Sequence, residues 1–152
     1  MPLSRDSRSE IHSEPAQAIK MYTFTKEERL CSQKLLDELY HKGSSFLLYP
    51  FSVIWLPHEP GAKPAQVVLQ VPKRRFKHAV DRNFIRRRMR EIYRLHKSEW
   101  LYPFLKSDQT LLLGISYIGK ELPEFAFMES KLKEVFKKLV KEIALKQEGE
   151  AN

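Results

Sequence analysis

From Thr25 to Lys146 the chain alternates between apolar positions spaced by three or four and apolar runs of strand length, a pattern that predicts seven elements. TKEE, Thr25–Glu28, has the composition of a capping box, in which a Thr hydroxyl and a Glu carboxylate satisfy exposed N–H groups at a helix start. The helix predicted from it runs to about His41 and stops at Gly43, a residue able to take the left-handed conformation. Its inward stripe is Cys31, Leu35 and Leu39, with Leu36 and Tyr40 together on one edge. SFLLYPFSVIWLP reads as strand split at Pro50, because proline cannot donate to a ladder. HEPGAKP is a turn by its Pro and Gly content, and AQVVLQV, Ala65–Val71, is a further β segment ended by Pro72. A helix over residues 80–97 follows. SEWLYPFLKSDQ is irregular, with a short turn around Trp100, and TLLLGISYIG suits a central strand. The last helix runs from about Pro123 to Lys146, with Phe125, Met128, Leu132, Val135, Phe136, Leu139 and Ile143 on its core face. The order α-β-β-β-α-β-α implies an α+β sandwich with helices packed on a sheet.

The length of 152 residues suits one domain with a real core. No apolar run approaches the roughly 18–20 residues of a membrane span. The single cysteine, Cys31, excludes an internal disulfide framework, fits a reducing compartment and is expected to be a small buried apolar residue. Residues 1–20 lack the apolar core of a secretory signal and mix Arg5 and Arg8 with Asp6, Glu10 and Glu14. They read as a disordered tail, residues 21–147 as the folded domain and 148–152 as a disordered C-terminus.

Charge changes the picture more than composition does. The net charge is +8, and its distribution is uneven. Lys73–Lys97 holds eleven Lys or Arg against two acids, Asp81 and Glu91, a local balance of +9, whereas the remainder sums to −1. On a helical wheel Ile85, Met89, Ile92 and Leu95 converge on the core side, while Arg82, Arg86, Arg90 and Arg94 form a winding row on another. Each step of that row rises about 6 Å, similar to the spacing of phosphates along a strand. Like-charge i,i+4 pairs each cost a few tenths of a kcal/mol. A solvated face would mix signs; this one is almost all arginine, whose planar fork suits bidentate phosphate contacts and base stacking. Tyr93 borders the row as a further stacking candidate. The five histidines are scattered with no zinc spacing, and His96, on the apolar side of the helix, reads as a packing histidine.

VPKRRFKHAVDRNFIRRRMREIYR, Val71–Arg94, resembles the signature of the bacterial ribonuclease P protein subunit. That signature is a strand ending in a basic cluster, a short connection, then Arg-Asn-Arg, an aliphatic residue and further basic residues. Arg82, Asn83, Ile85, Arg86, Arg87 and Arg90 match; Phe84 departs, standing where the family usually has a third basic residue. RLCSQKLLDELYHKGSSF, from Arg29, is similar to the family's first helix and the connection after it.

The resemblance implies an αβββαβα two-layer sandwich, with a four-stranded sheet and a left-handed β-α-β crossover. It implies the protein component of an RNA-based endoribonuclease that removes the 5′ leader of precursor tRNA, with catalysis carried by the RNA subunit and no catalytic residue in the protein. Lys73, Arg74, Arg75, Lys77, Arg82, Asn83, Arg86, Arg87, Arg90 and Arg94 are then expected to contact the catalytic RNA. Leu36 and Tyr40 match the family's two aromatics that line a cleft for the single-stranded leader, one of them replaced here by leucine. Phe51 and Trp55 read equally as the sheet side of that cleft or as sheet core. Mg2+ is expected, bound mainly by the RNA; the partners are ribonuclease P RNA and precursor tRNA, one protein per RNA, in the cytoplasm, without membrane or DNA. The rival readings are a stand-alone basic RNA-binding or ribosome-assembly protein, and a helix-turn-helix DNA binder. The latter is disfavoured because a strand and loop, not a scaffold helix and tight turn, precede the basic helix.

Overall fold

A computed structural model of the protein describes residues 24–151, with side chains described through residue 147; the expected tail over residues 1–20 lies outside the described residues. Three helices and four strands follow in the order α1 (Gln33–Lys42), β1 (Ser44–Leu48), β2 (Phe51–His58), β3 (Ala65–Gln70), α2 (Ala79–Trp100), β4 (Thr110–Tyr117) and α3 (Phe125–Ala151). The α+β order read from periodicity is therefore present. The sheet order is β1-β2-β4-β3, with β1, β2 and β4 antiparallel in sequence of pairing and β3 parallel to β4. The parallel pair is joined through α2, which makes the expected β-α-β unit. As anticipated at Pro50, β1 and β2 are separate strands, joined by a turn at Tyr49–Pro50.

The two faces of the sheet are covered unequally. Phe51, Val53 and Trp55 of β2 and Leu111, Leu113 and Ile115 of β4 point to one face, where they pack with Ile85, Met89 and Ile92 of α2. Met128, Leu132, Val135, Phe136, Leu139 and Ile143 of α3 complete that core, as the stripe on this helix predicted. The other face carries α1 alone, with Leu39 packed on Leu112 and flanked by Ile54, Leu56 and Val68. Ile85, Met89 and Ile92 are wholly buried. Burying each is worth about 1.5–3 kcal/mol, against a few tenths for each arginine pair on the same helix. Packing therefore wins, and α2 stays helical despite its charge.

Three local expectations fail at the start of the fold. The TKEE segment caps only a short 3-10 turn at Lys26–Glu28, and α1 begins later, at Gln33, where the Ser32 hydroxyl accepts from the Leu35 N–H. Glu28 explains the difference: its carboxylate accepts from Thr25 N–H and also forms a buried ion pair with Lys97 of α2, so it is tied to tertiary structure. Cys31 therefore precedes α1 and is exposed. Gly43 is extended (φ −71°, ψ 153°), so the left-handed cap is not used. The glycine is needed for space, since a Cβ there would lie 2.4 Å from Leu39 O and 2.8 Å from Ile54 Cγ1. At its far end α2 continues to Trp100 before a 3-10 turn at Tyr102–Phe104, and α3 runs to Ala151, past the expected boundary at residue 147.

The segment ahead of α1 wraps the edge of the sheet. Phe24 meets Tyr93 of α2 edge-on at 5.4 Å, Leu30 N–H donates to Val67 O of β3, and Leu30 is buried with α1 on the opposite face. Glu28 and Lys97 are 3% and 1% exposed, so the wrap is pinned by a charge pair inside protein. Burial lowers the Lys97 ammonium from its ordinary value, and Glu28 pulls the other way. Burial and the Glu28 charge push the neighbouring Tyr102 phenol up to about 12. Lys97→Met leaves the Glu28 carboxylate buried without its cation and is expected to cost about 3–5 kcal/mol in urea unfolding. Lys97→Met with Glu28→Leu is expected to recover most of that loss; equal losses for the single and the double variant would show that the pair is not the pin.

Candidate RNA-binding interface

The basic segment is gathered at one end of the sheet. β3 ends at Gln70, and Lys73, Arg74, Arg75 and Lys77 follow at once on an exposed turn that leads into α2. Phe76 anchors this turn by inserting into the core, 6.1 Å from the Tyr117 ring. Arg82 closes it from the helix side, donating from Nη1 to both Phe76 O and Lys77 O at 2.8 Å. Arg82 thus has a structural task that its place in the arginine row did not reveal.

The remaining members of the row differ as well. Arg94 donates to Glu91 through Nε at 3.2 Å and Nη2 at 2.6 Å. That hydrogen bonding holds Glu91 below the usual carboxylate range and raises Arg94 above its own. Arg86, Arg87 and Arg90 have no ion-pair partner among the described residues, and Arg87 and Arg90 are exposed, as are Asn83, Lys73, Arg74, Arg75 and Lys77. The open cationic surface is therefore the turn together with Arg86, Arg87 and Arg90. Lys97, counted with the basic segment from sequence, is buried against Glu28 and adds nothing to it.

Tyr93 does not border an open face. It is 1% exposed, packed against Phe24 and Phe136, with its phenol pushed well up by burial. His96 matches its reading as a packing histidine: it stacks on Trp100 at 3.8 Å and donates from Nε2 to Glu129 at 2.8 Å. Phe84 packs at the margin of the main core, and the Arg88 guanidinium sits over its ring at 4.4 Å. The position that departs from the resembled signature is thus occupied by an aromatic that holds a neighbouring arginine.

On the α1 face the structure reassigns the sheet side of the cleft. Phe51 and Trp55 are 0% and 2% exposed and belong to the core beneath α2 and α3, with Trp55 Nε1 donating to Glu142 of α3. They face away from α1, so of their two readings the structure supports sheet core. The register places Leu47, Ser52, Ser116 and Gln70 side by side across β1, β2, β4 and β3 on the α1 face. Leu39 covers the adjoining row above Gly114, where a Cβ would press on Ile54 Cγ2 at 3.1 Å and only touch Leu39 Cδ2. Over the polar row stands Tyr40, 48% exposed, its hydroxyl donating to Gln70 Oε1 at 2.9 Å. Leu36 is half-buried on the same helix, and Leu47 is 60% exposed at the far end of the row. Sequence reasoning missed Leu47, Ser52, Gln70 and Ser116 because β2 is apolar on both faces, so aromatics outranked the single serine. That serine was the available signal: an isolated polar position in a buried strand marks the face that is not fully covered.

The result is a shallow cleft floored by hydroxyls and an amide, with an aromatic ring above it, running into a turn of four exposed cations. Such a surface takes phosphates on the cations and a base against the ring. Among the described residues no group of three or more His, Cys, Asp and Glu side chains is placed to hold a metal ion, and no helix is long and apolar enough to cross a membrane.

Comparison with known proteins points to one family. The family model described as Ribonuclease P matches residues 24–140. The ribonuclease P protein component of Porphyromonas gingivalis is 32% identical over 110 residues, covering 71% of this chain and 80% of that protein. The component of Dictyoglomus turgidum is 36% identical over 93 residues, covering 61% of this chain and 71% of that one. Among solved structures, the Thermotoga maritima ribonuclease P protein superposes with a TM-score of 0.58 at 21% identity, over 73% of this chain and 96% of its own. The Staphylococcus aureus protein gives 0.54 at 22% identity, over 74% and 94%. Both share the fold described above.

Arg82→Ala is expected to destabilise the protein by about 1.5–3 kcal/mol, as loss of a charged donor to two carbonyls does. Arg87→Ala, at an exposed position, is expected to stay within about 0.5 kcal/mol of the parent. Urea unfolding of the two variants checks the assignment; a neutral Arg82→Ala would return Arg82 to the set of purely RNA-facing residues.

Proposed function

The chain belongs to the ribonuclease P protein family, and from that premise we propose how its two surfaces divide the work. The protein is the non-catalytic component of ribonuclease P, which acts with an RNA subunit in tRNA 5′ processing. Lys73, Arg74, Arg75, Lys77, Asn83, Arg86, Arg87 and Arg90 contact the phosphates of the catalytic RNA, with Arg82 shaping the turn that presents them and Arg94 shared with Glu91. The cleft under Tyr40 receives the single-stranded 5′ leader of precursor tRNA, with Leu36 and Leu47 in apolar contact. The observation that carries this reading is continuity: the row that ends at Gln70 leads, within the same strand and turn, to Lys73–Arg75. A leader lying in the cleft would leave it at the strand end that leads, through Val71 and Pro72, into the cationic turn.

In this reading the Mg2+ of the reaction is held mainly by RNA phosphates. The protein's cations reduce phosphate repulsion between the catalytic RNA and its substrate, which lowers the metal concentration the assembly needs. One protein per RNA, in the cytoplasm, completes the proposal. A stand-alone RNA-binding role is less well supported, because a general phosphate binder has no use for a cleft with an aromatic lid beside its cationic turn.

Reconstitution tests the reading. Protein mixed with the ribonuclease P RNA of its own organism is expected to cleave precursor tRNA at low magnesium, where the RNA alone is slow; absence of any gain would reject it. Arg86→Ala is expected to weaken RNA-subunit binding and to reduce the log–log salt slope by about 0.7–0.9, the value for one lost phosphate contact. Tyr40→Ala is expected to lower affinity for precursor tRNA about fivefold or more, as loss of a base–aromatic stack does, with little change for mature tRNA. Equal losses for both substrates would remove the leader from the cleft.

A further inference from the structure

Arg88 stands apart from the other arginines of α2. Its guanidinium lies over the Phe84 ring at 4.4 Å to the centroid and over that of Phe125, on α3, at 5.9 Å. Both rings pack at the margin of the main core, so the platform they make is fixed by two helices. Stacking uses the face of a guanidinium and leaves the N–H groups along its edges. No carboxylate or carbonyl among the described residues accepts from Arg88. Glu91 and Glu129, the first acids to follow Arg88 on α2 and Phe125 on α3, are taken by Arg94 and His96. Packing alone would be served by an apolar side chain of similar length. A half-buried cation held in place with its donors unengaged is instead prepared for an anion, since little side-chain freedom is left to lose on binding.

We propose that Arg88 is a further contact to the catalytic RNA and that Phe84 is its positioning residue: the stacked guanidinium takes a backbone phosphate on the margin of α2 beside α3. The proposal rests on the reading of α2 as the RNA-facing helix. At about 100° per residue, Arg88 lies about 160° round the helix from both Arg86 and Arg90. The exposed Val80, Asn83 and Arg87 occupy the outward arc between these margins. A helix with its side chains is about 10–12 Å across, so a phosphate on Arg88 is not one that Arg86 or Arg90 holds. The outward face of α2 is thus edged by arginine on both sides, and the RNA is gripped at two separate points of its backbone. Phe84, the position that departs from the resembled signature, serves this arrangement by holding the cation one turn further on.

The test uses full-length protein and ribonuclease P RNA ethylated at random phosphates, with the phosphates whose ethylation weakens binding mapped for each variant. Arg88→Met keeps an apolar stem over Phe84 and removes the charge. It is expected to erase interference at one or a few phosphates, different from those erased by Arg86→Met. The drop in affinity between about 50 and 200 mM salt is expected to become about threefold smaller, the share of one phosphate. Arg88→Lys, charged but without the planar fork, is expected to restore the salt dependence while leaving affinity below the parent's. Phe84→Leu is expected to weaken binding in the parent and to change nothing further in Arg88→Met, because it acts through Arg88. Thermal unfolding confirms that each variant folds. An unchanged map for Arg88→Met overturns the contact and leaves Arg88 as packing. Erasure of the same phosphates by Arg86→Met and Arg88→Met overturns the two-point grip, and equal losses from Phe84→Leu with and without Arg88 overturn the positioning role. If Arg86→Met too leaves the map unchanged, the RNA-facing reading of α2 fails and the proposal with it.

Discussion

The buried ion pair between Glu28 and Lys97 holds together parts that the chain order keeps far apart. Glu28 lies just ahead of α1 and Lys97 near the end of α2, and these two helices cover opposite faces of the sheet. A buried pair of this kind contributes little net stability compared with apolar side chains, yet removing one partner is costly. Its effect is on placement. It requires the segment from Phe24 to Leu30 to run along α2, pass the β3 edge at Val67 and deliver α1 to the opposite face. The position of Tyr40 over Gln70, and hence the cleft, depends on that path.

The same helix that receives Glu28 also carries the cationic surface, and the two tasks are separated along its length. Toward its end α2 is enclosed: Tyr93 and Lys97 are buried, and Arg94 is tied to Glu91. Toward its start Arg86, Arg87 and Arg90 face outward beside the Lys73–Lys77 turn. Like charges so close repel, and each i,i+4 pair costs only tenths of a kcal/mol, a load that the buried Ile85, Met89 and Ile92 carry easily. Arg82 converts part of that repulsion into structure by donating to two backbone carbonyls of the turn. In the proposed complex, phosphate binding relieves what remains.

The cleft is made by what is missing from the α1 face. One short helix covers two rows of the sheet and leaves the third, Leu47–Ser52–Ser116–Gln70, to Tyr40 alone. A small residue sets the approach: Gly43 lets the end of α1 come close to the sheet at Ile54, so that Leu39 buries the adjoining rows. The polar side chains of the third row need no apolar cover, so it can stay open without destabilising the sheet, and its position at the ends of β3 and β4 puts it next to the cationic turn.

The sequence by itself determined the order of elements, the core stripe of α3, three of the four residues expected on the core side of α2 (Leu95 is only half-buried and outside the core), the split at Pro50 and the concentration of positive charge between Lys73 and Lys97. Each of these depends on spacing along the chain: periods of two and 3.6, proline's missing donor, and the sum of charges in a window. It also put Leu36 and Tyr40 on one edge of α1. Only the tertiary structure decided which face each strand presents, because β2 is apolar on both sides and alternation cannot choose between Phe51 and Ser52. Only the tertiary structure turned Glu28 from a helix cap into a buried counter-ion, Lys97 from a surface cation into its partner, and Tyr93 from a stacking candidate into core. Those roles depend on residues far apart in the chain, 69 positions in the case of Glu28 and Lys97, and local pattern holds no record of which distant groups meet.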